Sequence, residues 1–187
     1  QCLYESADEI PYINSFYEDM RRWSFNLQIH NLHTRFRQLL DIKRTGLSFI
    51  QDRTLEEDAY IYAPNLQSMG LLNSRDYDNY IALFELLTSF VEPPDMLIYL
   101  RADVPSLIRN ILRRGRPYET SISLEYLTSL NNRYEEWVEK LADDIEEGIN
   151  QKTKLLVIDI EDVNFAENPE DLGTVINKID AEFNGLF

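Results

Sequence analysis

A chain of 187 residues, 44% hydrophobic and 12% aromatic, is long enough to build one domain with a real core and too apolar to stay disordered. Its net charge of −15 argues against general binding to nucleic acid or anionic membrane, while leaving room for a small anion held by a local basic cluster. The single cysteine, Cys2, rules out an internal disulfide and suits a reducing cytoplasm, where we expect the protein to work. No apolar run is long enough to span a membrane, and no secretory signal is visible. His30 and His33 lack further ligands for a zinc site.

The chain opens with QCLYE, Gln1 to Glu5, which reads as a strand ending in an acid, followed by an irregular or short helical connection from Ser6 to Asp19 that contains Pro11. Trp23, Leu27, Leu32, Phe36, Leu39 and Leu40 then recur at helical spacing, predicting a helix over about Met20 to Lys43 that Gly46 ends. Leu47 to Gln51 reads as a short buried strand that stops at Asp52-Arg53. Thr54 has the character of a helix N-cap, with Glu56, Glu57 and Asp58 in the first turn where the helix dipole favours acids. That helix is predicted to reach Met69, with Pro64 disturbing it.

Ser74 or Asp76 opens another helix, stopped by Pro93-Pro94. Met96 to Leu100 is the next buried strand, and a helix from Asp103 and Pro105 ends at Gly115 and Pro117. Ser121 or Ser123 begins a long amphipathic helix to about Glu147. Lys154 to Ile158 is the fourth strand, and Asn168-Pro169 opens the last helix, to about Phe183. Strands alternating with helices predict an α/β fold with a parallel sheet covered on both faces, a single domain over residues 1–187.

Three strand ends gather polar residues: Glu5, then Asp52-Arg53, then Arg101 and Asp103. In a parallel sheet such ends share the edge where ligands bind. A carboxylate there acts as a general base, holds Mg²⁺ through oxygen, or merely caps a helix. Gln28 and Arg35 are two helical turns apart and share a face among apolar positions, and Asp58 and Tyr62 are four apart on the next helix. Amide, carboxylate and guanidinium groups can read the edge of a base, with an aromatic ring stacking on it. A structural salt bridge between Arg35 and Asp58 accounts for the same pattern. Arg109, Arg113, Arg114 and Arg116 crowd one short stretch of an acidic chain, as a helix end-cap or as a clamp for phosphate.

Taken together, these residues resemble the deoxynucleoside kinase family, and especially its bacterial deoxyadenosine/deoxyguanosine kinases. The resemblance covers essentially the whole chain and is carried by RRWSFNLQ (Arg21–Gln28), QDRTLEEDAYIYA (Gln51–Ala63), LIYLRADVP (Leu97–Pro105) and RRGRPYE (Arg113–Glu119). It implies a P-loop-kinase-like three-layer fold, with a parallel sheet flanked by helices and a lid at about 109–120. It implies Glu5 as the base that deprotonates the nucleoside 5′-hydroxyl, with Arg53 beside that hydroxyl and the incoming phosphate. Asp52 takes the place of an acid that helps hold Mg²⁺, and Asp in that place is similar to the bacterial purine branch. Tyr17 and Glu119 match the pair that binds the sugar 3′-hydroxyl. Gln28 and Asp58 match the base-reading residues, supported by Arg35, and Tyr62 matches an aromatic that packs on the base. Arg114 and Arg116 match lid arginines that close over ATP phosphates. Asn164 and Phe165 resemble the loop that holds the donor's adenine.

The resemblance also sets expectations for what lies outside these motifs. The family's phosphate-binding loop, GxxxxGK[ST], is absent from the chain, and the first, central strand goes with it. The natural protein is expected to be longer at its N-terminus by roughly 20–35 residues. Asn110 stands where a lid arginine is expected, with Arg109 or Arg113 as substitutes, and His30 and Asn31 replace aromatic or apolar residues. The implied activity is transfer of the ATP γ-phosphoryl group to the 5′-hydroxyl of a purine deoxynucleoside, with ATP and Mg²⁺, in nucleotide salvage. The competing readings are a thymidylate-kinase-like nucleoside monophosphate kinase and a nucleoside-binding subunit without catalysis. Pairing of subunits through the helices at Met20–Lys43 and Ser74–Val91 is implied, as a homodimer or a heterodimer.

Overall fold

The helix-start signals at Thr54, Ser123 and Asn168 are met by side-chain caps, whereas the helix expected to open at Ser74 or Asp76 is capped by Asn73. The computed structural model describes residues 1–5, 10–161, 163–165 and 168–184. Residues 6–9 of the expected Ser6–Asp19 connection therefore lie outside the described residues. The described chain forms two compact units, residues 1–92 with 115–137, and residues 93–114 with 138–187. Among the described residues, no helix is long and apolar enough to cross a membrane.

The first unit holds strand β1 (Cys2–Leu3), helix α1 (Ile13–Glu18), helix α2 (Met20–Thr45) and strand β2 (Ile50–Gln51). Helix α3 (Leu55–Glu57), a π-helical turn (Asp58–Tyr62), helix α4 (Ala63–Ser68) and helix α5 (Ser74–Thr88) follow. A 3₁₀ turn (Pro117–Ser121) and the first part of helix α7 (Leu124–Glu146) complete it. In α2, the Asp19 side chain accepts a hydrogen bond from the Arg22 amide at 3.0 Å, and Gly46 ends the helix in the left-handed conformation that glycine adopts freely. Its buried positions are Ser24, Leu27, Gln28, Leu32 and Arg35, a stripe of helical period in which three polar side chains sit beside two leucines. That stripe belongs to a core with Leu55, Ile61, Leu66, Tyr80, Phe84 and Tyr126.

Two expectations are corrected in this unit. The strands at Gln1–Glu5 and Leu47–Gln51 shrink to two paired residues each, Cys2 with Ile50 and Leu3 with Gln51. Leu47 and Ile50 are 54% and 68% exposed rather than buried, because a two-residue ladder with one neighbour covers little side chain. The helix expected from Thr54 to Met69 is divided by the π-helical turn. Pro64 has no N–H to offer the Tyr60 carbonyl and its ring crowds that carbonyl, so the helix widens over the preceding turn.

The second unit holds strand β3 (Met96–Arg101), helix α6 (Val104–Arg114), the remainder of α7, strand β4 (Lys154–Asp159) and helix α8 (Pro169–Asn184). β3 and β4 pair in parallel from Met96 opposite Lys154 to Arg101 opposite Asp159. Both described ladders are thus parallel, as strand–helix alternation predicts, each a two-stranded sheet. Helix α7 starts where Ser123 accepts from the Tyr126 amide, and α8 starts at Asn168-Pro169, both as expected.

Candidate active site

The parallel pairing of β1 and β2 brings Glu5 and Asp52 to the same strand edge. The Asp52 amide donates to the Leu3 carbonyl at 2.8 Å, and the Glu5 amide lies 3.5 Å from the Asp52 carboxylate. The next residue, Arg53, has φ of +69°, the left-handed region that a non-glycine side chain occupies at a cost of order 1–3 kcal/mol. The chain then enters α3 through a capping box. Thr54 accepts from the Glu57 amide and Glu57 accepts from the Thr54 amide, both at 3.2 Å. A strained arginine is therefore clamped between a strand end and a doubly bonded helix start.

Two arginines share the Glu5 carboxylate. Arg35 Nη2 donates to Glu5 Oε1, while Arg53 Nε lies 3.2 Å from Glu5 Oε2. The other terminal nitrogen of Arg35, Nη1, is paired with Asp58 Oδ2. Arg35 and Asp58 are only 4% and 1% exposed, so this pair stands deep in the core while Glu5 and Arg53 stay about a quarter open. Burial and the nearby Arg53 lower the Arg35 guanidinium from its ordinary range, against Glu5 and Glu57, which raise it. Arg53 goes the other way. Burial would weaken its charge, but Tyr62, Tyr134, Glu5 and Glu57 together raise it well above its ordinary value.

Gln28 and Asp58 end in buried oxygens, Gln28 Oε1 and Asp58 Oδ1, that have no hydrogen-bond partner among the described residues. An unsatisfied buried acceptor costs about 1–3 kcal/mol, so two on adjoining elements are unlike ordinary core packing. They are suited to accept N–H groups of a bound molecule. Tyr17, from α1, stacks on Tyr118 with centroids 5.6 Å apart. Its phenol is pushed far up by burial, then by Tyr62 and Glu119, and so keeps its proton. Glu119 is buried and pairs with Arg116 at 3.5 Å. Glu5, Arg35, Arg53, Asp58 and Tyr62 are thus joined in one contact network, with Gln28 on the same helix face as Arg35.

Tyr62 differs from its expected role in one respect. Its hydroxyl accepts from Arg53 Nη2, and the guanidinium lies over its ring, 4.2 Å from the centroid. One face of the ring is therefore already covered. Two further residues belong to this network. Glu57 Oε2 lies 3.9 Å from Arg53 Nε, and Tyr134 reaches both Glu57 Oε2 at 2.9 Å and the Tyr62 hydroxyl at 3.3 Å. Glu57 was legible as the fourth residue of a T-x-x-E capping box. Tyr134 lies 77 residues beyond Glu57 and carries no local signal.

Asp52 is exposed, with one carboxylate oxygen near the Glu5 amide. Among the described residues no three His, Cys, Asp or Glu side chains cluster to hold a metal ion. A single open carboxylate fits Mg²⁺ that takes its other ligands from phosphate and water.

In the second unit, a cavity of about 460 Å³ is lined by Asn164 and Phe165 together with Ser106, Arg109, Arg113 and Ile160, among others. Its size suits a small ligand. Arg109 donates to Ser106 Oγ at 2.7 Å, and the Asn164 amide donates to Asp171 at 2.9 Å, which pins the loop to the first turn of α8. Arg114 is exposed in the last turn of α6 and is not among the lining residues. Asp103 is a helix cap. Its Oδ1 accepts from the Ser106 amide at 2.8 Å, and its bonds to Ser106 lower its carboxyl from the ordinary value.

A model of the family "Deoxynucleoside kinase" matches residues 1–184. The chain is 34% identical to a deoxyadenosine/deoxycytidine kinase of Bacillus subtilis over 177 residues, 94% of this chain and 77% of that one. It is 28% identical to a deoxyguanosine kinase of the same organism, over 90% of this chain and 78% of the relative. Among solved structures, deoxyadenosine kinase from M. mycoides with bound dATP is similar, with a TM-score of 0.78 and 27% identity over 96% of this chain and 86% of that one. Fold and sequence agree, and the chain belongs to the deoxynucleoside kinase family of ATP-dependent phosphotransferases.

Proposed function

We propose that this protein transfers the γ-phosphoryl group of ATP to the 5′-hydroxyl of a deoxynucleoside, with a purine deoxynucleoside preferred. The observation that carries the proposal is the span of Arg35, which holds Glu5 at the strand edge with one nitrogen and buried Asp58 with the other. Chemistry and base recognition are then fixed relative to each other by one rigid guanidinium. Gln28 Oε1 and Asp58 Oδ1 would accept hydrogen bonds from the base, and Tyr17 and Glu119 would bind the sugar 3′-hydroxyl. Glu5 would accept the proton of the 5′-hydroxyl as that oxygen bonds to the γ-phosphorus. The bond from phosphorus to the bridging oxygen breaks, and its electron pair leaves with ADP. Arg53 would offset charge at the transferring group.

Asn164 and Phe165 are assigned to the donor's adenine, Arg114 and Arg116 to its phosphates, and residues 109–120 to the lid. Asp52 would hold Mg²⁺, which neutralises phosphate charge when bound. The purine preference is supported by relatives named for deoxyadenosine and deoxyguanosine, and the B. subtilis relative named for deoxycytidine as well makes it a point to measure. A homodimer is proposed, supported by α5, which exposes Leu83, Leu86 and, just past its end, Phe90 on one side.

The test is a phosphorylation assay of the full-length enzyme with ATP and Mg²⁺, presenting each deoxynucleoside and each monophosphate separately. Conversion of deoxyadenosine or deoxyguanosine to its 5′-monophosphate, abolished by EDTA, is the expected result. Phosphorylation of monophosphates alone would overturn it. So would thermal stabilisation by deoxyadenosine with no ADP formed.

A further inference from the structure

The strand end and the capping box hold the Arg53 backbone in a conformation that its side chain does not favour, but neither fixes where its guanidinium points. Among the described residues, Glu5, Glu57 and Tyr62 touch its guanidinium. Two of these three meet at Tyr134, on α7, whose ring also lies edge-on to that of Tyr62 with centroids 6.2 Å apart. The proton inventory fixes the direction of the contacts. The Glu57 carboxylate can only accept, so the one proton of Tyr134 points to Glu57 Oε2 at 2.9 Å. The Tyr62 oxygen accepts from Arg53, and its own proton is then free to point at the Tyr134 oxygen, 3.3 Å away. A closed ring results: Arg53 to Tyr62, Tyr62 to Tyr134, Tyr134 to Glu57, and Glu57 back to Arg53.

We propose that Tyr134 is a positioning residue for phosphoryl transfer, acting through Glu57 and Tyr62 to hold the Arg53 guanidinium against Glu5. The inference rests on the reading of Arg53 given above. Glu57 has a second duty as the capping-box acid of α3, so its Oε1 is committed to Thr54 and its Oε2 to this ring. Burial, reinforced by Tyr62 and Glu57, raises the Tyr134 phenol well above its ordinary value and keeps it a neutral donor. Without its hydroxyl, the ring opens at the two contacts that neither Glu5 nor the backbone can replace. Arg53 would then sample positions away from the reacting oxygen, while the base-reading residues Gln28 and Asp58, held by α2 and Arg35, would stay where they are.

The experiment is a double-mutant cycle in the full-length enzyme, using Tyr134→Phe, Arg53→Lys and both together. Tyr134→Phe keeps the ring and removes one oxygen. It should lower kcat roughly tenfold, as loss of a hydrogen bond to a charged group predicts, with KM for the deoxynucleoside within about twofold. In the Arg53→Lys background the same change should have no further effect on kcat. Binding of deoxyadenosine by Tyr134→Phe, measured by thermal shift, establishes that the variant is folded. If Tyr134→Phe is too unstable to assay, Tyr62→Phe opens the same ring at its other hydroxyl and should give the same split between kcat and KM.

Unchanged kcat in Tyr134→Phe would overturn the proposal, and so would an equal loss with and without Arg53→Lys, or a loss confined to KM. Full turnover by Arg53→Lys alone would instead overturn the role of Arg53 itself, a result distinguishable from the others because it appears before Tyr134 is touched.

Discussion

Arg35 and Glu5, thirty residues apart in the chain, are hydrogen-bonded through Nη2 and Oε1. A residue on the buried stripe of a long helix thereby fixes an acid at the end of the first strand. Glu5 is held on its other oxygen by Arg53, so its position is set from both sides.

Replacing Glu5 by Gln should separate chemistry from binding. The amide keeps the shape and can accept from Arg35, but it cannot take a proton. Turnover should fall by roughly 10²–10⁴, the usual worth of a positioned general base, with deoxynucleoside affinity little changed. Rapid-quench measurement of the phosphoryl-transfer step beside equilibrium binding checks this. Near-native transfer would remove Glu5 from its role.

Arg35→Met should be costly for stability as well as activity. It leaves the Asp58 carboxylate buried with its ionic partner gone, a change that costs about 3–5 kcal/mol. Arg35→Met with Asp58→Leu replaces the pair by apolar groups and should recover most of that loss in chemical denaturation. Activity should stay lost in the double variant, because Glu5 is held from one side only and the base has lost Asp58. Recovered turnover would show that the pair serves the fold alone.

Gln28→Leu should move stability and activity in opposite directions. The Gln28 oxygen is buried and has no partner among the described residues, so replacing the amide should leave stability unchanged or raise it by up to about 1 kcal/mol. A base deprived of its partner should lower kcat/KM roughly 10²-fold. Denaturation and steady-state kinetics on the same preparation read both. A loss of stability matched by full activity would mean that Gln28 is an ordinary core amide.

His30 predicts how stability depends on pH. Its burial, then the neighbouring His33 and Arg35, lower its imidazole below the ordinary value. The folded protein thus binds its proton less readily than the unfolded chain does. The stability contributed by neutral His30 is fully present above the unfolded value of about 6.5 and is lost as pH falls through the lower folded value. The melting temperature should fall as the buffer is taken from about pH 7.5 to about pH 5.5, and His30→Gln should fall less. Equal slopes for the two proteins would assign the acid sensitivity to other groups.

The residues legible in the sequence are those whose evidence lies within a turn or two of themselves. Thr54 as a cap, Ser123 and Asn168-Pro169 as helix starts, and Gln28 with Arg35 on one face all follow from relationships two to seven residues apart. The acid–arginine edge at Asp52-Arg53 was legible because a run of apolar residues stops there. Its burial was misread, since exposure of Leu47 and Ile50 depends on how many strands lie beside them.

What the chain order by itself determined is where most of the helices run, several of their caps and the polar groups they present, because hydrogen bonding within a helix and periodic burial act locally. What only the tertiary structure decided is which of those groups meet. The sequence pattern allowed a simple Arg35–Asp58 pair. Packing made it a bridge to Glu5, turned Tyr62 toward Arg53, and brought Tyr134 to Glu57 across 77 residues. Such contacts are chosen by close packing of the core, where a fixed guanidinium or phenol has room for one arrangement, and no local propensity encodes them.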